Sequence, residues 1–439
     1  MKYFLLSLLL IALANARSPN IVLIISDDHS YTDYGFMGHP HIETPNLDKL
    51  SSESALFRRG YVPTALCRPA LITLITGLYA HQHKISGNSV VSTPQNKDYS
   101  KKLGKNFNFY KLGKLPTWLS QKGYVSFQSG KWWEGHYKRG GFTEGMTVGG
   151  RHGGNGLKIG RKGMKPVFDF IDQSVRDEKP FFVWYAPYLP HTPHNPPDRL
   201  YEKYKSKDLP DGFVKYYSMC EWLDETCGAL INYIDDLGLT KDTLFIYVAD
   251  NGWIQNPGIG YASRSKRTPY EGGVRTPIMF RWKGTIQPKD RNELCSSIDI
   301  VPTILSAADV DFSDSLPGLN LLPQLKSGEK INRNALFGES FAHDIADFRN
   351  PQASLLFRWV IQGHYKLILS YDGIPGRMKK VNMPKGNGPE LFDLENDPNE
   401  KVNLAGQYPN ITNQLSELLN EWYIADQRKV GEAYKPAFK

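Results

Sequence analysis

The chain has 439 residues, 40% of them hydrophobic and 22% charged, and carries a formal net charge of +8. That length suits one large α/β domain beside a smaller one, and the composition excludes a disordered, fibrous or repetitive protein. Four cysteines in so long a chain exclude a disulfide scaffold, and without a basic repeat or an aromatic-basic array nothing points to nucleic acid.

Lys2, the apolar run 4–13 and Ala14-Asn15-Ala16 read as a secretory signal peptide over residues 1–16, cut before Arg17. The apolar run is short for a membrane span, so the sequence predicts a secreted or periplasmic protein with no stable membrane insertion. A mildly basic exported protein suits an anionic substrate.

Apolar, β-branched runs alternate with helical patterns, which predicts a mostly parallel sheet flanked by helices. Strands are expected at 20–26, 124–129, 180–186, 243–249 and 276–281, and helices at 45–54, 69–76, 115–122, 213–237 and 300–307. The helix at 69–76 has Pro69 in its first turn. Character changes after about Leu325. Strand-like pieces at 359–369 and 390–394 and a helix at 411–426 form a smaller C-terminal α+β subdomain. The expected division is 17–325 for the large α/β domain and 326–439 for the subdomain. Cys220 and Cys227 lie seven apart in a helical stretch, two turns from each other, and read with Cys295 as small buried residues.

Asp27-Asp28 follows the first strand and Asp250-Asn251-Gly252 follows another. Ligands of open α/β sheets sit at the carboxyl ends of strands. Either motif alone is ordinary turn chemistry; the two together predict hard oxygen ligands for a divalent cation. Cys67 precedes a helix, whose free N–H groups favour an anion. By itself it reads equally as a low-pKa nucleophile or a buried residue at a helix start.

Asp27-Asp28, Cys67-Arg68-Pro69, Gly130-Lys131-Trp132, Pro190-His191, Asp250-Asn251-Gly252 and Tyr270-Glu271-Gly272-Gly273-Val274-Arg275 occur in that order. The series resembles the formylglycine-dependent sulfatases of the alkaline-phosphatase-like superfamily across nearly the whole mature chain. The tail Leu391-Phe392-Asp393-Leu394 resembles that family's C-terminal signature. The resemblance implies that Cys67 is oxidised to formylglycine, whose hydrate is the nucleophile, by a formylglycine-generating maturation enzyme. It implies calcium bound by Asp27, Asp28, Asp250 and Asn251, with the Cys67-derived hydrate completing the shell. It makes Lys131 and Lys266 sulfate-binding lysines and His191 the general acid facing the leaving group. The implied substrate is a sulfated poly- or oligosaccharide.

Two positions depart from that pattern. Leu71 stands where the cysteine motif usually carries arginine, and Trp133 stands where Lys-Trp-His would place a histidine. His136, three residues on, is the expected replacement imidazole if the loop turns back. His81 and His83 are expected to support the site from behind it, and Arg275 to make structural pairs. Glu339, His343 and Asp344 open the subdomain, where they could read a sugar. Two other readings stand beside sulfate-ester hydrolysis. One is a phosphodiesterase or phosphonate hydrolase of the same superfamily, which would need further metal ligands. The other is an inactive sulfated-glycan binder, motivated by Leu71 and Trp133.

Overall fold

The computed structural model describes residues 18–92, 94–103, 107–312, 315–371 and 388–425. The expected signal peptide, and the end of the expected last helix past 425, lie outside the described residues. The strands in chain order are β1 (Asn20–Ser26), β2 (Ala55–Tyr61), β3 (Ser89–Val90), β4 (Val125–Gly130), β5 (Glu144–Gly145), β6 (Phe181–Ala186), β7 (Thr243–Ala249), β8 (Arg275–Arg281), β9 (Lys289–Arg291), β10 (Cys295–Ser296), β11 (Leu336–Phe341), β12 (Asp344–Ile345), β13 (Leu355–Gln362), β14 (Tyr365–Ser370) and β15 (Glu390–Asp393).

Nine of them form one sheet in the order β10-β2-β8-β7-β1-β6-β4-β5, with β9 also paired to β2. From β7 to β5 the pairing is parallel, and β8 is antiparallel to both β7 and β2. The period of two in β1 shows why both faces are covered. Ile21, Leu23 and Ile25 join one apolar cluster with Leu71 and Ile75; Val22 and Ile24 join another with Leu223 and Leu230 of the helix Asp211–Asp236. Each such side chain contributes roughly 1.5–3 kcal/mol on burial. The architecture is the expected mostly parallel sheet flanked by helices.

β11-β13-β14-β15 form a second, antiparallel sheet. Leu415 and Leu419 of the helix Pro409–Trp422 pack on it against Val360, Leu367 and Leu391. The sheets are joined by a buried ion group. Lys366 Nζ of β14 lies 3.0 Å from Glu271 Oε1 and 2.9 Å from Glu400 Oε1.

Three local features differ from the sequence expectation. The apolar stretch 359–369 is a hairpin, β13 and β14, turning at Gly363 with φ of 61°. β2 is a strand that the sequence hides, because Arg58 and Arg59 interrupt its apolar run; Arg58 is paired with Asp290. The helix expected from Pro69 starts at Cys67, with Leu66 extended before it. The first four N–H groups of a helix have no internal acceptor, so a proline at the third position sacrifices no bond.

Gly130 ends β4 with φ of 80°, and a Cβ there would sit 1.8 Å from the Ala186 carbonyl oxygen. Gly123 has the same φ of 80° with nothing within 4 Å of an added Cβ. Gly123→Ala should therefore lose about 1–2 kcal/mol for the left-handed backbone alone. Gly130→Ala should lose clearly more, read as the difference in urea midpoints; equal losses would contradict the close approach.

Candidate active site

Register brings the acidic motifs together. Ser26 of β1 lies opposite Ala249 of β7, and the Asp250 amide donates to the Ser26 carbonyl at 2.9 Å. Asp27-Asp28 and Asp250-Asn251 therefore leave the sheet side by side. Asp28 has φ of 60°, a left-handed conformation uncommon outside glycine. Its amide donates to Asp250 Oδ1 at 3.0 Å, and Asn251 Nδ2 donates to Asp28 Oδ1 at 2.8 Å.

Two lysines close on these carboxylates. Gly130 pairs with Ala186 across β4 and β6, and the next amide, that of Lys131, donates to the Ala186 carbonyl at 2.7 Å. Lys131 Nζ then donates to Asp27 Oδ1 at 2.7 Å. Lys266 Nζ donates to Asp28 Oδ2 at 2.6 Å and lies 3.2 Å from Cys67 Sγ. Cys67 Sγ is 3.9 Å from Asp28 Oδ1, and His191 Nε2 is 3.4 Å from Asp28 Oδ2. Asp27, Asp28, Cys67 and His191 each offer a ligand atom within 4.8 Å of the others, all buried. Among the described residues this is the one group of three or more potential metal ligands so placed.

Burial sets the electrostatics. It penalises the Lys131 charge, yet Asp27, then Cys67 and Asp250, hold that lysine protonated above its ordinary range. Burial would raise Asp28, but Lys266, His191 and Lys131 outweigh it and keep the carboxyl ionised. Burial pushes the Cys67 thiol up to about 12 against the pull of both lysines, so the unmodified thiol is a poor thiolate. Burial and Lys131 drive His191 well below 6.5, and its Nδ1 lies 2.5 Å from the Thr192 carbonyl. In the neutral ring that contact puts the proton on Nδ1.

The donor set fits a hard cation. Three buried carboxylates, Asp27, Asp28 and Asp250, face two lysines, and Asp250 Oδ2 and Asn251 Oδ1 are buried with no hydrogen-bond donor. Native interiors rarely leave such acceptors unmatched, and all-oxygen ligands suit calcium.

Other expected residues go elsewhere. His136 is not brought to this cluster: its Nδ1 accepts from the Lys138 amide at 3.2 Å and its ring lies on Tyr137. His136 caps the 3-10 turn at Tyr137–Gly140, and the chain folds back from it onto Thr147 and Val148, with the Tyr137 amide donating to the Thr147 carbonyl at 2.8 Å. His83 is buried, with Nδ1 accepting from the Ile85 amide at 3.1 Å. His81 pairs with the buried Glu339 at 2.9 Å, its amide donates to the other carboxylate oxygen at 2.8 Å, and its ring stacks on Tyr423. His343 pairs with Asp344 at 2.6 Å. Arg275 donates to the Arg58 carbonyl and Glu271, as expected of a structural residue. Leu71 lies in the apolar core at 2% exposure, and Arg68 makes a two-point pair with the buried Glu134.

The sequence reading missed Tyr188, Arg161 and His152. The Tyr188 ring stacks on His191 at 4.3 Å and lies 5.2 Å from Lys131 Nζ. Arg161 donates to the carbonyls of Tyr188 and His191. Tyr188 sits two residues before Pro190-His191, a signal that was available; Arg161 belongs to no motif.

The Sulfatase family model matches residues 19–310, and that for the N-sulphoglucosamine sulphohydrolase C-terminal region matches 261–425. Arylsulfatase A of Homo sapiens is 28% identical over 93% of this chain and 88% of its own length. The ulvan-active sulfatase of Formosa agariphila is 25% identical over 94% of this chain and 81% of its own. A solved structure of a protein with its substrate D-glucosamine-2-N,6-O-disulfate superposes with a TM-score of 0.72 at 18% identity, covering 94% of this chain and all of that one. The large sheet, the small antiparallel sheet and the family match agree: this chain belongs to the sulfatase family, whose members are sulfuric ester hydrolases.

Proposed function

We propose that the protein hydrolyses sulfate esters on a sulfated poly- or oligosaccharide, using a calcium ion and a formylglycine made from Cys67 by a maturation enzyme. The observation that carries this reading is the meeting of Cys67, two lysines, His191 and the Asp27, Asp28, Asp250 and Asn251 oxygens at one sheet edge. Relatives act on such material by their names: ulvan for one, N-acetylgalactosamine 6-sulfate for others.

Asp27, Asp28, Asp250 and Asn251 would hold the calcium, which draws negative charge from a sulfate oxygen when bound. The aldehyde hydrate at position 67 would supply the attacking hydroxyl. Lys131 and Lys266 flank the position of Cys67 and would stabilise charge on the sulfate oxygens as the bond to the sugar breaks. His191 Nε2 faces the same space. An incoming anion favours its protonation, and the proton then passes to the leaving sugar oxygen. We also propose export to a secreted or periplasmic location, from the leader-like residues 1–16. No described helix is long and apolar enough to cross a membrane.

The peptide containing Cys67, taken from protein made in its native host, should weigh as the aldehyde, and the same protein should release sulfate from sulfated glycans. An unmodified thiol in fully active protein would overturn the mechanism. Phosphate-ester turnover exceeding sulfate-ester turnover would favour the phosphodiesterase reading. Tight glycan binding with no release would favour the inactive binder.

Lys131→Ala and Lys266→Ala should each lower kcat/KM on a sulfate ester by about 10²-fold or more, on the scale of other donors to transition-state oxyanions. Cys67→Ala should abolish turnover with little change in fold. A Lys131→Ala variant with wild-type kinetics would remove that residue from the site.

A further inference from the structure

The glycine-rich loop 149–154 carries a histidine that belongs to none of the motifs. It is stitched to the segment bearing Lys131. The Trp132 amide donates to the His152 carbonyl at 2.9 Å. An added Cβ on Gly153 would meet the Gly130 carbonyl oxygen at 2.6 Å and the Trp132 nitrogen at 3.1 Å. His152 itself has φ of 59°, and strained backbone of this kind concentrates at functional sites. The backbone contact would be met by any residue there, so it gives no reason for an imidazole.

The ring has partners of its own. It rests on the Trp133 indole, with centroids 4.3 Å apart, and lies 5.9 Å from the His191 ring. Its Nδ1 is 3.2 Å from the Tyr188 hydroxyl, and the Tyr188 ring lies against Lys131 and His191. Burial first, then Lys131, Arg151 and Lys266, push its pKa down to about 3, with Asp28 opposing. The lysines that flank Cys67 therefore bear on this ring. The side chain is half-buried, so one edge stays reachable. On that edge Arg151 Nε donates to His152 Nε2 at 3.3 Å from an exposed position.

We infer that His152 is a second imidazole of the sulfate cleft, hydrogen-bonding the sulfated group beside Lys131 with Tyr188 behind it and Arg151 at the rim. The inference rests on the sulfatase reading above. A hydroxyl can donate as well as accept. When Tyr188 turns its proton toward Nδ1, the neutral imidazole carries its own proton on Nε2 and donates it to a sulfate oxygen. Arg151, released from Nε2, adds a positive charge at the mouth of the cleft. The ring proton moves from Nδ1 to Nε2 by exchange with solvent, so the imidazole changes tautomer with no net proton gained or lost.

The test is equilibrium binding of inorganic sulfate to the full, calcium-loaded chain by calorimetry, alongside KM and kcat on a sulfate ester. His152→Ala should weaken sulfate binding about tenfold or more. His152→Gln, whose amide can still donate, should stay within about threefold of wild type, and Tyr188→Phe should weaken binding in the same direction as His152→Ala. His136→Ala should bind as wild type does. Wild-type sulfate affinity in His152→Ala would overturn the inference while leaving the sulfatase reading intact. Equal loss in the Ala and Gln variants together with a collapsed Tm would make His152 a structural residue and overturn it too. No sulfate binding by the wild-type chain would overturn the sulfatase reading, and this inference with it.

Discussion

Everything at this site depends on how Asp28 is held. Its backbone is left-handed, its amide is bound by Asp250, and its carboxylate meets Asn251, Lys266 and His191. It sits almost wholly out of solvent, as do Asp27, Asp250 and Lys131. Charges this deep cost several kcal/mol each to desolvate unless they are paired. The parallel register of β1 and β7 makes pairing possible, because it brings two strand ends level. β4 and β6 then add Lys131 by the same means. The site is thus a consequence of sheet register, and the unmatched acceptors on Asp250 and Asn251 mark where a cation belongs.

Much of this was legible in the sequence. Apolar runs that end in Asp-Asp or Asp-Asn-Gly announce both strand and ligand, because one short segment carries both signals. Cys67, Lys131, His191 and Lys266 were found through the order of motifs, and the structure brings all four to the same place. Other features depended on contacts between distant segments. Nothing local identifies β2 as a strand, since Arg58 is satisfied by Asp290 and the Phe36 carbonyl and Arg59 by the Gly363 carbonyl, all distant in the chain. The expectation for His136 failed for a related reason. Proximity in sequence to Lys131 suggested it, but the turn it caps carries it onto Tyr137, while His152, 21 residues after Lys131, is bound back to Trp132 through its carbonyl.

The two positions that depart from the pattern expected at the sequence level have physical correlates. Leu71 is packed among apolar side chains, where a guanidinium would need a partner, and the nearby cation Arg68 is committed to Glu134. Trp133 is half-buried against the core and forms the wall on which the His152 ring lies. The chain therefore brings the buried carboxylates and both lysines together and differs from the expected pattern in apolar residues at positions 71 and 133.

The most direct measurement is calcium titration of the full chain by calorimetry, with Asp250→Ala as the comparison. The account predicts one ion per chain and loss of that binding in the variant. A chain that binds no divalent cation, or an Asp250→Ala variant that binds calcium as tightly as wild type, would contradict it.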